Sequence, residues 1–150
     1  SAAGDEVRAL NIVVDEHSFS QTALGTISSR CYIEFEEYQF PESGWYDLPV
    51  IIALEWIHEV TQFRLGRTER CILEFSEGDY LLEVEHAGND DCAVECVSEA
   101  NERIVDFTAH IPLQLLHSEV LNMAETVLRI CQKNKFKGPD VDQLTLRLGS

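Results

Sequence analysis

An α+β fold, a two-layer sandwich with a mainly antiparallel sheet of about six strands and two helices packed on one face, is what the pattern of this 150-residue chain predicts. Two long apolar segments, 48–64 and 110–135, carry helical periodicity. Six shorter segments rich in alternating or β-branched residues read as strands, and four of them follow one another across turn-sized gaps, which makes neighbours antiparallel. The helices need a partner for their apolar faces, so they cover one side of the sheet and leave the other to solvent.

Taken in order, residues 7–15 are rich in Val and Ile and form the first strand. Residues 27–38 form the second, with Cys31, Ile33 and Phe35 on one face and Tyr32, Glu34, Glu36 and Tyr38 on the other. Pro41 and Gly44 punctuate a turn, Asp47 caps the next helix through its carboxylate, and Pro49 is tolerated in a first turn. That helix runs over 48–64 with one polar stripe of Glu55, His58, Glu59 and Gln62, and Gly66 ends it. Residues 70–75 and 80–85 form a hairpin around Gly78. Residues 92–97 and 103–109 continue the meander through turns at 88–90 and 99–101. The second helix opens at 110–112 and buries Leu113, Leu116, Val120, Ala124, Val127 and Cys131. Leu144, Leu146 and Leu148 alternate as a short final strand would. No repeat or linker divides the chain, so 1–150 is one domain, with 1–4 and 149–150 expected to be vector-derived ends without fold information.

The formal charge is −16. From Cys31 to Phe63 there are seven acidic residues and no Lys or Arg, and from Glu74 to Asp106 eleven acidic residues against Arg103 alone. With Leu73, Phe75, Leu82, Val84, Val105 and Phe107 inward, Glu74, Glu83, Glu85 and Asp106 point outward with Glu34 and Glu36, and Glu95 joins them. Such a face repels nucleic acid and anionic membrane and steers a basic protein toward itself. Charged residues also keep a sheet face soluble without any partner.

Chemical motifs are weak. Glu55-x-x-His58 has the spacing of a di-iron ligand pair but lacks its second copy. His86, Cys92, Cys96, His110 and His117 lack the paired spacing of a zinc site. There is no nucleophile elbow, phosphate loop or calcium loop. The expectation is no catalytic residue, no metal and no cofactor. Five cysteines in apolar contexts suit buried, reduced thiols in the cytoplasm.

Phe40-Pro41-Glu42-x-Gly44-Trp45-x-Asp47, followed by an apolar helix centred on Trp56 and then Phe75-x-x-Gly78-x-Tyr80, resembles bacterial immunity proteins of polymorphic-toxin and contact-dependent inhibition systems. The resemblance covers residues 40–85. The motif reads as scaffold: Phe40 and Trp45 staple the strand to the helix start, Asp47 caps it, and Gly78 makes the hairpin turn. The resemblance implies a cytoplasmic protein that neutralises a cognate, basic, nuclease-type toxin domain by binding it, without chemistry of its own. Tyr32, Glu34, Glu36, Tyr38, Glu74, Glu83, Glu85, Glu95 and Asp106 are the expected contacts. The alternative is a small-molecule-binding regulatory module with a pocket between the sheet and helix 48–64.

Overall fold

The computed structural model describes residues 8–149, and among them the chain forms nine strands and three helices. The α+β class and the antiparallel pairing are as the sequence predicts, but the strands divide between two sheets. In the first, β3 (Ile27–Phe35) is the spine. It pairs antiparallel with β1 (Asn11–Val14), β2 (Ser20–Gln21), β4 (Tyr38–Phe40) and β5 (Tyr46–Asp47). The second is a meander of β6 (Arg70–Glu74), β7 (Tyr80–His86), β8 (Asp91–Ser98) and β9 (Ile104–Pro112), neighbours in sequence order.

The split has a local cause. The expected strand 27–38 stops at Phe35, because Glu36 turns into the left-handed region at φ 57° and the chain doubles back to pair Tyr38 with Phe35. The start expected at Val7 lies outside the described residues, as do residues 1–4 and Ser150.

Helix α1 (Pro49–Arg64) is the hub. Val50, Ile52, Ala53, Trp56, Ile57, Val60 and Phe63 are buried, and it packs against α2 (Leu113–Lys133), α3 (Pro139–Gly149), β3 and β6. Burial on nearly every side follows from an apolar sequence interrupted by a single polar stripe. Gly66, at φ 76°, donates to the Phe63 carbonyl and Arg67 to the Gln62 carbonyl, closing the helix end as the glycine predicts. On α2 the expected stripe is buried from Leu116 to Cys131, with Leu113 partly so.

Three further expectations change. β9 runs on to Pro112, so the second helix begins at Leu113 rather than at 110. Residues 144–148 are helical: α3 buries Val141 and Leu144 and leaves Leu146 exposed, because the spacing from 141 to 144 to 148 outranks the alternation of three leucines. Val105 faces away from the core and is 38% exposed. A bulge pairs Cys96 with Phe107 and Val97 with Val105, leaving Asp106 without a partner across the ladder, and this reverses the parity of β9.

Candidate functional site

The motif residues gather at one junction between the two sheets. Asp47 ends β5 and is 1% exposed. Its carboxylate accepts hydrogen bonds from the Trp45 indole N–H (2.9 Å), the Leu48 backbone N–H (2.7 Å), and the Ser76 (3.1 Å) and Glu77 (3.2 Å) backbone N–H groups of the β6–β7 turn. It therefore does not cap α1 in the expected way. Leu48 precedes the helix without a side-chain cap, and the carboxylate ties the helix entrance to a turn about thirty residues away.

Aromatic rings surround this junction. Phe40 meets Phe75 and Tyr80 edge-on at 5.9 and 5.8 Å, Trp45 meets Tyr80 at 5.2 Å, and Trp56 meets Phe75 at 5.2 Å. The Trp56 indole donates to the Glu74 carbonyl at 2.8 Å. Gly78 sits beneath, at φ 71°, and a Cβ there would lie 2.9 Å from the Tyr80 ring and 3.2 Å from Trp45. Gly44 also has positive φ, and Pro41 follows a cis peptide bond. Phe40 and Trp45 thus staple the first sheet to the β6–β7 turn as well as marking the way into the helix.

The outer face of the second sheet is ordered in rows. Across the strands run Arg70, Glu85, Ala93 and His110; then Ile72, Glu83, Glu95 and Thr108; then Glu74, Leu81, Val97 and Val105. Arg103, just before β9, reaches across the third row to donate to Glu83 and Glu95, each at 2.9 Å, while Arg70 donates to the other oxygen of Glu83. The hydrogen bond from Arg70, then that from Arg103, holds the Glu83 carboxyl below the usual range. Leu81 and Val97 are buried on this outer side, outside the main core, along the path that the Arg103 side chain crosses.

The remaining expected contacts are scattered. Glu34 accepts from Asn11 on the first sheet, and Tyr32 is partly buried on the same strand. Glu36 is exposed in its turn. Tyr38 stacks on Phe107 at 4.2 Å, and burial, then the nearby Cys96 and Asp106, pushes its phenol up to about 12. Asp106 occupies the bulge, where its charge is felt by Cys96 and Tyr38 on the inner side, so it is separated from the Glu83 row.

Sequence reasoning missed two acidic groups. Glu55 and Glu59 of α1 and Glu74 of β6 line a cleft of about 440 Å³ with Leu54, His58 and Arg147. Burial, then Glu74 and Glu59, raises the Glu55 carboxyl above its ordinary value. At the turn end of the meander, the Glu99 N–H donates to the Asp79 carbonyl, which brings the β6–β7 and β8–β9 turns together and gathers exposed Glu77, Asp79, Glu99 and Glu102. Only the run of acids at turn positions hinted at this.

All five thiols are buried and unpaired. Burial pushes Cys31 and Cys71 up to about 12, and Cys92 and Cys131 to about 11, so they stay protonated at neutral pH and are poor nucleophiles. Among the described residues, no group of three or more His, Cys, Asp or Glu is placed to hold a metal ion, and no helix is long and apolar enough to cross a membrane. No family model, curated protein or solved structure matches the chain.

Proposed function

We propose that this chain is a cytoplasmic immunity protein, which neutralises a cognate basic toxin domain by binding it and performs no catalysis. The observation that carries the reading is the fate of the charge. Among the described residues, ion pairs join Arg8 to Asp91, Arg30 to Asp15, Arg70 and Arg103 to Glu83, Arg103 to Glu95, and Lys133 to Glu16. Five cations meet five carboxylates, so this pairing leaves the surplus of sixteen negative charges untouched. A protein with such a surplus attracts a basic partner at long range and can cover the surface with which a nuclease domain would hold phosphates. The motif resemblance supports the same role, and its residues serve the scaffold.

The test is co-expression with the C-terminal domain of the protein encoded immediately upstream, scoring survival and copurification. Rescue with a stable complex is the expected result; a well-folded chain that neither rescues nor copurifies would remove the proposal. The cleft of about 440 Å³ between α1 and β6 favours a second reading, a regulatory module for a small cationic ligand. A polyamine screen by thermal melting tests it, since a ligand that binds only the folded state raises Tm.

A further inference from the structure

The two edges of the second sheet differ. At the β6 edge, the Glu74 carbonyl accepts from Trp56 and α1 packs against the strand. At the β9 edge, Arg103, Ile104, Val105, Asp106 and Thr108 are all exposed, with Ile104 at 48%. β9 is last in the strand order, so alternate residues turn their N–H and C=O groups to a side where, among the described residues, no strand lies. Such an edge is a template for another strand.

Its charge restricts what can add. Glu99 and Glu102 precede the segment, Asp106 lies within it, and its only cation, Arg103, is held by Glu83 and Glu95. A second copy of a chain with formal charge −16 would set like charges against one another. A strand carrying Lys or Arg meets complementary charge instead. Ile104 and Val105, neighbours on β9, point to opposite faces of the sheet, so each face offers an exposed apolar side chain beside the acids.

We propose that the free edge of β9, residues 103–108, receives a basic extended segment of the partner protein as a fifth strand of the second sheet. Main-chain hydrogen bonds give such a contact its strength, and the side chains beside the edge give it selectivity. The inference rests on the basic partner proposed above and names its docking edge.

The probe is an acetylated Lys-Val-Lys-Val-Lys-Val peptide at low ionic strength, compared with a copy N-methylated at alternate residues. The methylated copy has the same charge but cannot complete a ladder. Amide exchange is followed residue by residue on the full chain. The expected result is roughly tenfold slower exchange confined to the outward amides of 103–108 with the first peptide only, lost in Glu102→Lys/Asp106→Lys. Both changed residues are exposed, and an unchanged Tm confirms the variant is folded. Equal protection by the methylated peptide, protection centred on Glu83 and Glu85, or no protection would each overturn the proposal. The rescue assay separates the two ideas: rescue that survives Glu102→Lys/Asp106→Lys overturns the edge alone, whereas strand addition without rescue removes the immunity reading alone.

Discussion

The carboxylates of Asp47 and Glu83 are each held by several donors, yet they hold different things. Asp47 is buried and accepts four hydrogen bonds from neutral N–H groups that join β5, the α1 entrance and the β6–β7 turn. Glu83 lies on an outer sheet face with its own side chain only 12% exposed, covered by two arginines whose side chains are 60% and 43% exposed. The first arrangement fixes the fold, because losing it takes one buried acceptor away from four donors on three separate segments. The second arranges a surface, because the arginine ends of these pairs stay in water, which screens them and limits what they contribute.

The largest expected effect is at the buried junction. Trp56→Ala removes a fully buried ring and the partner of the Glu74 carbonyl, and should cost about 3–5 kcal/mol in denaturant unfolding. Asp47→Ala should cost about 2–4 kcal/mol, since the Ser76 and Glu77 N–H groups lose their acceptor. A loss for Asp47→Ala as small as that of a surface substitution would erase the distinction between the two carboxylates. Gly78→Ala comes next, at about 1–3 kcal/mol, from positive φ and the approach to the Tyr80 ring.

Glu83→Gln should cost no more than about 1 kcal/mol at neutral pH. Its pH dependence sharpens the comparison. The folded pKa is lowered, so the stabilisation is complete above the unfolded carboxylate value and disappears as pH falls through the folded one. The gap in unfolding free energy between wild type and Glu83→Gln should therefore close on acidification. Glu55 has the opposite sign: its folded pKa is raised, so the favourable, protonated contribution is lost as pH rises through it. Glu55→Gln should be slightly more stable than wild type at pH 7, by a few tenths of a kcal/mol, and equal to it in acid.

What could be read in the sequence follows the same division. The α1 segment, the β6–β7 hairpin and the β6–β9 meander were legible because apolar periodicity and turn glycines are local. The turn at Glu36 was not, since a non-glycine residue in the left-handed region leaves no mark. Nor was α3, whose three alternating leucines imitate a strand. Asp47 was recognised as a helix-start residue, but two of its donors come from Ser76 and Glu77, and no local pattern announces contacts across that distance. On the outer face, alternation correctly placed Glu74, Glu83, Glu85 and Glu95 together. It failed at Val105 and Asp106, where one bulge changes the parity of the strand.

The most direct test of the central claim, that the unneutralised acidic surface recruits a basic partner, is the association rate with the proposed basic toxin domain between about 0.05 and 0.5 M salt. The account predicts a rate that falls roughly tenfold or more across that range, with a flatter profile for Glu102→Lys/Asp106→Lys and an unchanged Tm. A rate independent of salt would contradict it, whereas a variant that associates as the wild type does would overturn the β9 edge alone.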